Sequence, residues 1–319
     1  MATRRATKSD KKPVKKTSQE KILSPIEFYK MTESFLSEKA KARGINDLEK
    51  YYRVTDTQMV WYKSINGEMN KCFAELVYHG QNATMISNIV KFQEKLDFLK
   101  EICFDFDPVK FYETYGSSCI EKGVEKLVSK LREDPVSNPN GLVWDSTESD
   151  NKDAIAKRFA CILIYGSSYL KDFHSKHELI NDLWVHGQNA EGEVDNKKLI
   201  DYFREKIPEG FSVALTCDFL KELDEKFSFL AKPDIHIMEV LGVYLKKGKG
   251  YYRHGTRRAL ECLADFQKIV TDINAELPED KKISVYQFDR MIWLICSGSF
   301  FLDRGVGFEK SDFLSKISE

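Results

Sequence analysis

Apolar residues recur at helical spacing through most of this chain, and no segment alternates apolar and polar positions long enough to suggest a sheet. Ser24-Pro25-Ile26-Glu27 has the form of a capping box with proline at the first helical position, and Gly44 supplies a stop. Between them Phe28, Met31, Phe35 and Ala42 fall on one stripe. The same period predicts helices over 69–79 and 85–103, the latter placing Ile86, Ile89, Val90, Phe92, Leu96 and Leu99 on a broad apolar face. The stretch 132–152, with Pro135, Pro139 and Asn140-Gly141, reads as a surface loop between helical segments. Further helices are expected from Ile155 to about Leu170, from Asp195 to Lys206, from the turn near Gly210 to about Leu223, from Pro233 to about Tyr244, and over 258–276 and 284–297. The expected fold class is mainly α. His-Gly-Gln-Asn-Ala occurs at 79–83 and again at 186–190, but the flanks differ and this is not a repeat.

Composition narrows the class. A chain of 319 residues, 42% hydrophobic, can bury a substantial core. No apolar run approaches the roughly 18 residues of a membrane span, and the charged N-terminus lacks a signal-peptide core. The expectation is an intracellular, non-secreted protein, cytoplasmic (nucleoid-associated) or nuclear, without a membrane partner and monomeric. The seven cysteines form no C-x-x-C pair and sit mostly among apolar neighbours, so they read as reduced core thiols. No metal and no cofactor is expected.

The net charge of −1 conceals a basic segment. Residues 1–21 carry Arg4, Arg5, Lys8, Lys11, Lys12, Lys15, Lys16 and Lys21 against Asp10 and Glu20, an excess of six positive charges, leaving −7 for the rest. Almost devoid of large apolar residues, this arm is expected to be disordered, serving as a polyanion-binding tail or merely as a solubilising one. Residues 22–319 then form the folded domain. A second basic stretch, 246–258, holds Lys246, Lys247, Lys249, Arg253, Arg257 and Arg258 with Tyr251 and Tyr252 interleaved, a composition suited to phosphate contacts with stacking, or to a solvated loop.

Candidate chemistry concentrates in 195–241. Leu199, Ile200, Phe203 and Ile207 line a helix ending at Pro208; Glu209-Gly210-Phe211-Ser212 turns the chain; Leu215, Phe219, Leu220 and Leu223 line a second helix. Such a hairpin, over about 195–223, can aim backbone N–H groups at a phosphate. Lys232-Pro233-Asp234-Ile235-His236 follows, with Asp234 where a new helix starts. Aspartate there is a preferred N-cap, and a carboxylate there is also open to chemistry.

In combination, the turn followed by Pro233-Asp234-Ile235-His236 resembles the helix-hairpin-helix DNA glycosylases, the superfamily that includes endonuclease III-like enzymes. Their pattern is a leucine-proline-glycine-x-glycine hairpin, a helix, then valine-aspartate-x-histidine. Gly210-Phe211-Ser212 stands at the glycine-x-glycine turn and Asp234-Ile235-His236 at the aspartate-x-histidine. Leu76 to Ala83 looks like the family's early helix ending in leucine-serine-x-glutamine, and Phe288 to Gly298 resembles its late helix; the likeness spans about residues 60–302. Ser212 departs from the second hairpin glycine. The lysine that strand-cleaving members carry after the turn is Ala214 here, and no cysteine follows Cys296 to bind an iron–sulfur cluster.

The resemblance implies a two-lobed helical fold and a monofunctional glycosylase acting on a damaged or modified base in double-stranded DNA. Asp234 would be the catalytic carboxylate, stabilising the oxocarbenium character that develops at C1′. Gly210, Phe211, Ser212 and Ala214 would contact the DNA backbone, and Gln81 would fill the gap left by a flipped base. Tyr78, His79, Tyr165, Trp184 and His236 are the base-pocket candidates, whereas Glu75 reads as an exposed helix residue. A hairpin module that binds DNA without catalysis, and a helical protein–protein adaptor, are the competing readings.

Overall fold

The computed structural model describes residues 22–42, 44–48, 52, 59–83, 90–132, 142, 150–297 and 310–318. Among them run fourteen α-helices: α1 (Pro25–Lys41), α2 (Val60–Lys63), α3 (Glu68–Gly80), α4 (Leu96–Ile102), α5 (Pro108–Tyr115), α6 (Ile120–Leu131), α7 (Asp150–Leu170), α8 (Lys176–His186), α9 (Asn196–Lys206), α10 (Val213–Leu223), α11 (Ile235–Tyr244), α12 (Gly255–Glu276), α13 (Val285–Ser297) and α14 (Lys310–Ser318). The described residues contain no strand, only the isolated bridges Arg132–Leu142 and Gln188–Val194. None of these helices is long and apolar enough to cross a membrane. The basic arm 1–21, residues 85–89 of the predicted helix 85–103, most of the loop 132–152 and Gly298 lie outside the described residues.

Side-chain caps start many of these helices, satisfying N–H groups that have no partner within the helix. The capping box at α1 is complete: Glu27 N donates to Ser24 Oγ (3.3 Å) and Ser24 N to Glu27 Oε2 (2.7 Å). Asp107, Ser175, Asp195, Ser212 and Asp234 cap α5, α8, α9, α10 and α11 with a side-chain oxygen that accepts from the first-turn N–H groups.

Two packing groups form. In the first, α7 lies against α3, α5 and α6. Gly80 and Gly166 allow the α3–α7 approach: a Cβ at Gly80 would come 2.9 Å from Ile162 Cγ2, and one at Gly166 would come 2.6 Å from Leu76 Cδ2. In the second, α1 joins the C-terminal helices α11, α12, α13 and α14. Phe28 of α1 stacks on Tyr244 with centroids 4.2 Å apart and meets Phe288 edge-on at 5.5 Å, so the first described helix closes the C-terminal core. The hairpin helix α10 touches α3 and α12, bridging both groups.

Two boundaries differ from expectation. Within the predicted helix 85–103, the described residues 91–95 form a turn before helix resumes at Leu96, because the backbone turns left-handed at Lys91 (φ 44°) and Glu94 N and Lys95 N fold back onto Lys91 O. Phe92 is nevertheless buried, against Trp61, Tyr78 and Phe106, so its apolar position serves a turn instead of a helix face. At the other boundary, α7 begins at Asp150, inside the predicted loop.

Candidate functional site

The hairpin turn is built around Gly210. Its φ is +90°, a conformation that favours glycine, and a Cβ there would lie 2.3 Å from Ile162 Cδ1. Ser212 takes extended backbone (φ −76°, ψ 169°) and its Oγ accepts from Leu215 N at 3.3 Å. The residue that departs from the glycine pattern therefore acts as the N-cap of α10. Phe211 is buried against Phe203 and Phe219, and its carbonyl accepts from Arg204 Nε at 3.0 Å. Its ring is core; only its backbone remains at the turn.

A groove of about 320 Å³ opens beside this turn. Ser212, Val213 and Ala214 at the start of α10 form one wall; Gly255 and Thr256 at the start of α12 form another, with Arg204, Arg253 and Pro233 completing it. Two helix N-termini face this groove, and the two guanidinium groups in its walls are paired with Asp201 and Glu239.

The next residue after Pro233, Asp234, lines a different cavity of about 560 Å³. Asp234 Oδ1 caps α11 by accepting from His236 N (2.8 Å) and Ile237 N (3.1 Å). Oδ2 makes no hydrogen bond among the described residues. The cavity's other walls are Tyr78 and His79 of α3 with the adjoining Asn82, Asp218, Lys221 and Glu222 of α10, Lys232, and Asp289, Arg290 and Trp293 of α13. The cleft thus lies between the two packing groups.

Its polar groups are held by an ion network. Lys221 Nζ sits 2.5 Å from Asp289 Oδ2 and 3.2 Å from Asp218 Oδ1. Lys232 Nζ reaches Asp218 Oδ2 at 2.6 Å while its backbone N donates to Asp289 Oδ2 at 3.0 Å. The segment carrying Asp234 is thereby clamped to α10 and α13. His79 joins Asp218 to Glu75, at 3.2 Å from Asp218 Oδ2 and 3.3 Å from Glu75 Oε1. Burial raises the Asp218 carboxyl, but Lys232, Lys221 and His79 outweigh it and hold it well below the usual carboxylate range. Burial lowers both lysines, yet their carboxylates win and raise them above the ordinary lysine value. Both are ammonium ions at neutral pH.

The sequence candidates divide. Tyr78 and His79 line the cavity with Asp234. Gln81 is no wedge: it is buried and its Oε1 accepts from Phe92 N at 2.9 Å, pinning the turn after Lys91, while the exposed neighbour Asn82 takes the cavity rim. Trp184 packs on Phe227 and Phe229 with Lys226 over its face, and Tyr165 lies on α7; neither lines the cavity. His236 also points elsewhere, its Nδ1 3.2 Å from Lys310 Nζ; burial first, then Lys310, lowers its pKa. Glu75, expected at the surface, is only 2% exposed because it pairs with His79 inside.

The basic stretch 246–258 is largely neutralised by its own surroundings. Lys247 pairs with Glu261 and Asp265, Lys249 and Arg253 with buried Glu239, Arg258 with Glu261, and Lys246 donates to Ser318 O. Arg257 is exposed and has no carboxylate partner among the described residues. Tyr252 is fully buried with its hydroxyl on Asp265, so it offers no stacking face, and Tyr251 donates to Glu261.

Sequence reasoning missed Asp218, Lys221, Glu222, Lys232, Asp289 and Arg290. A signal existed: charged residues at 218, 221 and 222 interrupt an otherwise apolar helix and, if buried, need partners. Five of the seven cysteines are buried, and burial pushes the Cys72 and Cys296 thiols up to about 12, as expected for core residues. No cluster of three or more metal-ligating side chains occurs among the described residues. No protein-family model matches the chain, and no curated protein or solved structure does either.

Proposed function

We propose that this chain is a monofunctional DNA glycosylase of the helix-hairpin-helix superfamily, with Asp234 as its catalytic carboxylate. The observation that carries the reading is the position of two consecutive residues: Pro233 borders the groove formed by the N-termini of α10 and α12 at the hairpin turn, and Asp234 faces a polar cavity large enough for a flipped base. A DNA phosphate held in the groove would bring the attached deoxyribose to the Pro233–Asp234 corner and its base into the cavity.

The chemistry follows from that placement. As the N-glycosidic bond lengthens, positive charge grows at C1′, and a carboxylate oxygen beside it lowers the barrier. The bonding pair leaves with the base nitrogen, a water oxygen bonds to C1′, and the water's proton is delivered to the departing base. Asp234 Oδ1 is engaged by the helix cap, which leaves Oδ2 for the sugar or the water.

Ala214 stands where strand-cleaving relatives carry lysine, and the two lysines the cavity does contain are held as ammonium ions by Asp218 and Asp289. An ammonium ion has no lone pair to attack C1′, so the product is an abasic site in an intact strand. Incubation with a panel of duplexes carrying alkylated purines, oxidised guanine or modified pyrimidines, with mass analysis of released bases, tests the proposal. Base release without a nick before alkali is expected; a borohydride-trapped covalent adduct would contradict the mechanism.

A further inference from the structure

Four carboxylates line the cavity that holds Asp234: Asp218, Glu222, Asp234 itself and Asp289. Two of them are committed to cations. Asp218 has Lys221 on Oδ1 and Lys232 with His79 on Oδ2, and Glu222 Oε1 accepts from Arg290 Nη2 and the Tyr286 hydroxyl, each at 2.9 Å. Asp289, like Asp234, is anchored by one oxygen. Its Oδ2 takes Lys221 Nζ at 2.5 Å and Lys232 N at 3.0 Å, while Oδ1 makes no hydrogen bond among the described residues. The bond to Lys232 N sets this carboxylate beside the backbone two residues before Asp234. Asp289 is also the deeper of the two: it is 2% exposed, whereas Asp234 is half-buried. A nucleotide with its C1′ at Asp234 would therefore have its base further in, toward Asp289.

We propose that Asp289 is a second catalytic residue, the acid that protonates the departing base through Oδ1. This inference rests on the glycosylase reading. The carboxyl proton passes to a base nitrogen as the C1′–N bonding pair moves onto the base. The carboxylate so formed takes a proton from the water whose oxygen bonds to C1′. Over one turnover Asp289 is unchanged, and the water's proton has reached the base. Lys221 keeps Asp218 as its counter-ion while the proton is on Asp289, so no buried ammonium is left alone. The surroundings suit an acid. Burial raises the Asp289 carboxyl, Lys221 and the Lys232 N–H lower it, Asp234 raises it again, and the net displacement is upward. Facing it are Lys221, Asp218 and Cys217 from α10, Lys232 and Asp234 from the segment entering α11, and Cys262 from α12. Burial pushes both thiols up, so they stay neutral and leave the carboxylates and lysines to set the balance. Two carboxylates of one cavity in such different settings fit one as charge stabiliser and the other as proton donor.

The test uses the full chain and the same panel of duplexes carrying alkylated purines, oxidised guanine or modified pyrimidines. Single-turnover release of each base that the chain liberates is followed from about pH 5 to about pH 9, for the parent and for Asp289→Asn. The amide oxygen of the variant can still accept from Lys221 Nζ and Lys232 N, so the clamp on the Asp234 segment stays. The parent rate should fall as pH rises through the Asp289 pKa, because the acid loses its proton. Asp289→Asn should be about a hundredfold slower at the parent's optimum and should lack that alkaline limb. DNA affinity by anisotropy and a thermal melt should match the parent. A variant that keeps more than about a tenth of the rate, or slows yet retains the alkaline limb, overturns the inference while the glycosylase reading stands. If Asp289→Asn does not fold, the parent profile decides, and a rate that stays flat toward alkaline pH overturns the inference. No base released from any duplex removes the glycosylase reading and the inference with it.

Discussion

Asp234→Asn separates the chemical role proposed for this side chain from its structural one. In the fold one oxygen of Asp234 does all the capping, accepting from His236 N and Ile237 N at 2.8 and 3.1 Å. Asparagine caps helices about as well as aspartate, and its carbonyl oxygen can accept both bonds. What remains lost is the charge at the helix N-terminus, about 0.3–1 kcal/mol, which for a protein larger than 150 residues is a fall of a few °C at most in Tm. The chemical loss is larger. A unit charge about 4 Å from a developing cation, at an effective dielectric near 20, is worth about 4 kcal/mol, or close to a thousandfold in rate. Single-turnover base release, DNA affinity by anisotropy and a thermal melt together read out all three quantities. The expected pattern is a rate lower by about three decades, unchanged or tighter DNA binding, and a nearly unchanged melt. A variant that keeps more than a tenth of the rate, or loses rate only in step with DNA affinity, would refute the reasoning. Asp234→Ala is the contrast, because it removes the cap as well and should cost about 1 kcal/mol of stability.

Three other outcomes are expected. Lys221→Met leaves Asp218 and Asp289 without their shared ammonium and should destabilise the fold by about 3–5 kcal/mol in chemical denaturation, with part recovered by adding Asp289→Asn. The His236 pKa is lower folded than unfolded, so below about pH 6.5 the unfolded chain binds the extra proton and stability falls with falling pH until the folded value is passed; His236→Gln should flatten that part of a Tm–pH curve. Arg257→Ala should reduce the slope of log affinity for DNA against log salt by about one, whereas Lys247→Ala, already paired with Glu261 and Asp265, should leave it unchanged.

Much of the scaffold was legible from local rules. Period and caps located α1, α9, α10, α11 and α13 almost to the residue, since Ser24, Asp195, Ser212 and Asp234 each act on N–H groups two or three positions away. The glycine turn and the carboxylate at a helix start were visible for the same reason: both depend on near neighbours in the chain. The surroundings of Gln81, Glu75, Trp184 and the stretch 246–258 were not legible, because they depend on what stands opposite. Gln81 meets Phe92 N, Glu75 meets His79, and Arg253 meets Glu239.

The sequence by itself determined a helical chain with a hairpin and a capping aspartate, because those features follow from contacts within a few residues. Only the tertiary structure decided what surrounds that aspartate. Lys221, Asp218, Asp289 and Lys232 come from three separate segments, and a charge buried on one helix is tolerable only when packing brings its opposite from another.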